Sequence, residues 1–232
     1  MTQRQGLVLM SCLISLSSTL FAGQLTVAPL TMSMTPTQAN ATYKLTNGSS
    51  EEGFYQLQLF AWEQVDGETQ LLKQDDLIVT PPVTLIPGNG EQTVRVIRRR
   101  PTPSETEKSY RLIISEVPDT ESRQGANLKV LLRMSLPVFV GGNEKAFSLS
   151  VSQQGNALHI HNTGNAHARI ADVYWLDHDS NTHLVKQGLV GYALPNSELR
   201  IPLQTPSSLN ASYLSASING KPATYKVEGA PK

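Results

Sequence analysis

Cysteine is almost missing from this chain: the single one, Cys12, lies inside an N-terminal apolar stretch. That stretch, Leu7 to Leu20, follows the positive Arg4 and runs into the small residues of Phe21-Ala22-Gly23. The pattern is that of a secretory signal peptide over residues 1–22, with cleavage expected after Ala22 or Gly23. The mid-stretch position of Cys12 argues against a lipoprotein anchor, and its removal leaves no cysteine for a disulfide. Stability must then come from core packing, which about 210 residues can supply. No second apolar run is long enough to span a bilayer, so no stable membrane association is expected. Charge of either sign is also lacking in excess, with 19 basic against 19 acidic residues. That balance points away from nucleic acid and from anionic membrane surfaces.

Catalytic chemistry is equally absent. There is no G-x-S-x-G, S-x-x-K, H-E-x-x-H, glycine-rich phosphate loop or calcium loop, so an enzyme is disfavoured and no cofactor is expected. His159 and His161 share one strand face, with His167 beyond a turn that reads as a hairpin at Asn162-Thr163-Gly164-Asn165. Three ligands with supporting partners are not evident, so no metal site is expected. Asn40, Asn47 and Asn210 head glycosylation-type triplets, which are frequent by chance.

Helix signals are nearly absent too. Short runs rich in Val, Ile, Thr, Tyr and Leu alternate with Gly, Pro, Asn and Ser. Strands are expected at 25–33, 41–46, 54–63, 76–80, 91–98, 109–116, 128–139, 147–151, 157–161, 169–176, 183–186, 198–204 and 212–218. So many short strands fit an all-β chain of two sandwiches, seven strands in the first and about six in the second. The expected domains are 23–140 and 144–232, joined by a hinge at Gly141-Gly142-Asn143. The tail after Val227 is expected to fray.

The most informative segment is LKVLLRMSLPVFV, residues 128–140. Every even position is apolar: Leu128, Val130, Leu132, Met134, Leu136, Val138 and Val140. Lys129, Arg133 and Ser135 interrupt the opposite row. This is the period of an extended strand with one apolar face. Pro137 lacks an N–H, which places the strand at a sheet edge. The apolar row either faces this chain's own core or awaits a partner's strand, and alternation alone does not separate the two. Positive charge gathers nearby at Arg95, Arg98, Arg99, Arg100, Arg111, Lys129 and Arg133; Arg98 to Arg100 read as a solvated rim.

In order along the chain stand Tyr43-Lys44-Leu45-Thr46-Asn47, an aromatic strand ending in Ala61-Trp62, Val79-Thr80-Pro81-Pro82 and Leu85-Ile86-Pro87-Gly88. Gln92-Thr93-Val94-Arg95-Val96, Tyr110-Arg111-Leu112, Glu116-Val117-Pro118 and Leu136-Pro137-Val138-Phe139-Val140 follow. Leu158 to Gly164 and Gly191-Tyr192-Ala193-Leu194-Pro195 continue the series. The whole resembles the periplasmic pilus (fimbrial) assembly chaperones of the chaperone–usher pathway. The resemblance implies two immunoglobulin-like β-sandwich domains in a boomerang arrangement, working in the periplasm of a Gram-negative bacterium. It implies pilus subunits and an outer-membrane usher as partners, and it leaves self-capping dimerisation of the free chaperone open. A pilus subunit is a sandwich missing its last strand, and the chaperone supplies an edge strand in its place. By resemblance that strand is 128–134, with Leu128, Val130 and Leu132 filling pockets and Ala126 and Met134 flanking them. Three such side chains contribute a gross total of about 5–9 kcal/mol before ordering costs.

The subunit's C-terminal carboxylate also needs a cation. The family's usual positions fall here near Thr31 and Ser135, and neither is basic. The Arg133-x-Ser-x-Pro-Val-Phe-Val pattern instead resembles the archaic branch, and loop 118–127 is modest and without cysteine. The expected anchor is Arg111 first, then Arg133, then Lys129, since a guanidinium grips a carboxylate bidentately. The alternative is a secreted immunoglobulin-like adhesion module that binds through loops such as 63–75 or 177–183.

Overall fold

The computed structural model describes residues 25–101, 104–118, 131–142, 146–176, 181–203 and 213–228. Alternation shapes the strands first. In β8 (Glu91–Arg98) Val94, Val96 and Arg98 point inward, and in β3 (Asn40–Asn47) Tyr43, Leu45 and Asn47 do the same. These two strands pair antiparallel between β1 (Leu25–Ala28) and β6 (Leu77–Thr80) in a four-stranded sheet. The facing sheet runs β2 (Met32–Met34), β10 (Arg133–Val140), β9 (Lys108–Glu116), β4 (Gly53–Val65), β5 (Glu68–Leu72), with β7 (Val83–Ile86) also on β4. Between them lies one apolar core that includes Tyr43, Leu57, Ile86, Leu112, Ile114 and Val138.

The second unit is built otherwise. Its seven strands form one continuous sheet: β14 (Thr182–Ala193), β13 (Ala168–Leu176), β16 (Tyr213–Ile218), β17 (Lys221–Glu228), β11 (Leu149–Gln154), β12 (Ala157–Asn162), β15 (Ser197–Pro202). The sheet turns over at β17, whose residues 221–226 pair with β16 while Val227 and Glu228 pair with β11. Its own core holds Leu158, Ile160, Ile170, Trp175 and Leu214.

Several expectations are corrected. The segment 25–33 is two strands in two different sheets, because the chain crosses over at Pro29-Leu30-Thr31 with Leu30 64% exposed. β5, β7 and β17 were not anticipated. Two of them follow tight two-residue turns, Asp66-Gly67 and Asn219-Gly220, each with both residues at positive φ. Such turns match strand twist, and Asp-Gly and Asn-Gly are the sequences that favour them. The turn after Asn162 is not a hairpin: β12 and β13 occupy separate ladders, and the chain crosses between them. Arg98 is not a rim residue. It continues the buried row of β8, and its guanidinium donates to the carbonyls of Thr35, Pro36 and Gln38.

Candidate functional site

β10 sits where the sequence placed an edge, with a qualification. Residues 133–140 pair with β9, but β2 covers only Val138 to Val140 on the other side. From Arg133 to Pro137, β9 is the sole neighbour among the described residues. The ladder extends one step further, because the Leu132 carbonyl accepts from the Glu116 N–H at 2.8 Å. Leu136, Val138 and Val140 are buried in the first core, Leu132 and Met134 are half-buried against it, and Leu131 is 43% exposed. The apolar row thus passes from this chain's own interior toward solvent as the strand is followed backward. Leu128, Lys129 and Val130, with Ala126, lie outside the described residues. Arg133 is exposed on this strand.

Arg111 stands at the centre of β9, opposite Pro137 on β10 and Phe60 on β4. Tyr110, Leu112 and Ile114 take the core face, so strand alternation turns Arg111 to the outer face. There its Cζ lies 3.6 Å from the centroid of the Trp62 ring and 5.6 Å from that of Tyr192. Burial pushes its pKa down from the ordinary arginine value, while Tyr192 opposes the shift. Among the described residues no carboxylate pairs with it. A guanidinium over aromatic faces keeps its charge and its planar donor fork available for an anion.

Trp62 and Tyr192 belong to different sandwiches, so this setting exists only where the two meet. Trp62, Phe139, Tyr192 and Leu194 form a small core of their own. The Trp62 and Tyr192 rings meet edge-on at 5.5 Å, and Phe139 stacks on His167 at 3.5 Å. Glu107, buried, accepts from the His167 backbone N–H at 3.1 Å and contacts its Nδ1 at 2.6 Å. Gln64 reaches across as well, donating to the Tyr192 carbonyl at 2.7 Å and accepting from the Leu194 N–H at 2.9 Å. Gly141 and Gly142 both have positive φ where the chain leaves β10; Asn143 lies outside the described residues.

Residues 24–144 match the family model described as pili and flagellar-assembly chaperone, PapD N-terminal domain. This chain belongs to that family of pilus assembly chaperones. No curated protein matches the sequence. Among solved structures, a chain of the CsuC–CsuE chaperone–tip adhesion subunit pre-assembly complex, from the archaic chaperone–usher Csu pili of Acinetobacter baumannii, superposes with a TM-score of 0.64 at 20% identity. That match covers 79% of this chaperone and 92% of that chain. The SafA pilin–SafB chaperone complex of Salmonella enterica gives 0.63 at 16%, covering 88% and 96%. The CupB2 chaperone of Pseudomonas aeruginosa gives 0.59 at 17%, covering 86% and 98%. At these identities the likeness establishes the fold, two immunoglobulin-like domains. The family is one of chaperones rather than of enzymes.

Two of the chaperone's histidines have structural partners: His159 contacts Glu198 at 2.6 Å, and His167 serves the joint. Asn47 is no glycosylation acceptor in the folded chain, being 1% exposed and bonded to three backbone carbonyls. The joint residues Trp62, Gln64, Glu107, Phe139, His167 and Tyr192 were all missed as site residues. One signal was present. Leu136 to Val140 is an unbroken apolar run in which all five residues are buried, meaning that both faces of the strand are covered.

Proposed function

We propose that this chaperone binds pilus subunits in the periplasm by donor-strand complementation and delivers them to an outer-membrane usher, as an archaic-branch member. Residues 1–22 act as the signal peptide, 23–140 as the subunit-binding domain, 141–143 as a hinge and 144–232 as the second domain. The segment 128–134 adds as a strand to the subunit's open groove, with Leu128, Val130, Leu132 and Met134 entering it. Arg111 seats the subunit's terminal carboxylate, with Arg133 and Lys129 as further cations on the strand. The observation that carries this reading is Arg111 itself. It is a partly desolvated cation stacked over Trp62 with Tyr192 alongside, with no carboxylate partner among the described residues, beside an edge that has one neighbour. An anion offered there is already spared much of the cost of dehydrating the cation.

Mixing the chaperone with a donor-strand-less pilus subunit, diluted from denaturant, should give a soluble one-to-one complex. Val130→Asp or Leu132→Asp should abolish recovery of the subunit while the chaperone stays folded. Arg111→Ala should weaken the complex by about tenfold to a hundredfold, the range of a charge-assisted hydrogen bond. Undiminished recovery with all three variants removes both the strand and the anchor.

A further inference from the structure

Gln64 is placed on β4 two residues beyond Trp62 and two before the Asp66-Gly67 turn, so Gln64 and Trp62 share a strand face. Its Nε2 donates to the Tyr192 carbonyl at 2.7 Å. Its Oε1 accepts from the Leu194 N–H at 2.9 Å and from the Ser197 hydroxyl at 3.1 Å. The side-chain amide thus meets the backbone of 192 and 194 much as a neighbouring strand would. A neutral amide supplies a donor and an acceptor on two separate atoms, as these contacts require: a glutamate would set a negative oxygen against the Tyr192 carbonyl, and a lysine could accept nothing. What Gln64 grips is the backbone of one ring at Arg111, and Trp62 behind it is the other.

We infer that Gln64 is a positioning residue for the Arg111 seat, fixing the two sandwiches in the register at which Tyr192 of one reaches the guanidinium stacked on Trp62 of the other. The inference rests on the carboxylate-anchor reading above. Tyr192 already stands at 5.6 Å from Arg111, close to the roughly 6 Å reach of a cation–π contact. A slip of an ångström at the joint therefore opens the seat. It need not unfold either domain, since each has its own core.

A double-mutant cycle separates positioning from simple stabilisation. The probe is a pilus subunit that co-purifies with the tagged wild-type chaperone. A second version carries a short C-terminal extension that moves its carboxylate out of reach. Gln64→Ala should lower affinity for the natural subunit about tenfold, and for the extended one by less than about twofold. Equal losses with both subunits would overturn the inference, for Gln64 would then merely hold the domains together. If the wild-type chaperone binds both subunits equally, the carboxylate seat itself fails, and the positioning role with it. Should Gln64→Ala not fold, Gln64→Glu serves in the same cycle with the same expectation, because it keeps the acceptor for Leu194 and loses the donor to Tyr192.

Discussion

Each sandwich carries a buried asparagine at the end of a strand, and the two are put to different uses. Asn47 closes β3, and its amide nitrogen lies within bonding distance of the carbonyls of Glu51, Ile86 and Pro87. Asn162 closes β12, with its amide nitrogen on the carbonyls of Ala166, Ala193 and Leu194. Both side-chain oxygens accept from the following turn, Ser49 N–H on Asn47 and Gly164 N–H on Asn162, and that of Asn162 also accepts from the Ser148 N–H, which precedes β11. The chemistry is the same, since a buried amide satisfies backbone groups that the crossing chain leaves unpaired. The location differs. Asn47 lies near Gly53, at the end of β4 opposite to Trp62 and Gln64. Asn162 holds the carbonyls of Ala193 and Leu194, which follow Tyr192, and Gln64 of the other sandwich grips Tyr192 and Leu194. One device closes a free end of the fold; the other braces the site.

Removing these amides tests that difference. Asn162→Ala should have the largest effect. It strips five hydrogen-bond contacts from a fully buried site and should lower the stability of the second domain by about 3 kcal/mol, followed through the Trp175 fluorescence in denaturant. It should also weaken subunit capture, because Tyr192 loses its support. Asn47→Ala should cost the first domain about 2 kcal/mol yet leave the affinity of the folded chaperone unchanged. Equal losses of affinity in the two variants would abolish the distinction between brace and closure. The smallest effect belongs to Asp76, which bonds Lys108 Nζ at 2.8 Å and the Tyr110 hydroxyl at 2.7 Å within the first sandwich. The hydrogen bond from Lys108, then that from Tyr110, holds its carboxyl below the usual value. The folded-state pKa is depressed, so this contribution is present above the ordinary carboxylate value near 4 and fades as pH falls through the lower folded one. Asp76→Asn should therefore lower Tm slightly at pH 7 and by progressively less as pH falls below the ordinary carboxylate value, with subunit affinity at pH 7 unchanged.

How far the sequence could be read depended on how local the signal was. Period two in Leu132, Met134, Leu136 and Val138 gave the strand, its apolar face and, with Pro137, its edge, but not whether that face was turned to this chain's own core. Arg111 could be chosen because it lies on the strand beside that edge, a relation set by neighbouring segments of chain. The Asp66-Gly67 and Asn219-Gly220 turns were equally local, and heeding them would have supplied β5 and β17. The joint was another matter. Trp62 meets Tyr192 across 130 positions of chain, and no periodicity links them. Arg98 misled because a triple arginine reads as solvated, whereas strand register turns this one inward onto three carbonyls.

The strand proposed to meet the subunit is fastened at one end: its last three residues lie between two ladders and its inward side chains fill an interior. A rail mounted in this way does not retract. Under the proposed mechanism, cargo leaves because a rival segment zips in along the groove from the unanchored side, and the carrier emerges unchanged and ready for the next cycle. Turnover is then governed by the incoming competitor, with no refolding of the carrier between one passenger and the next.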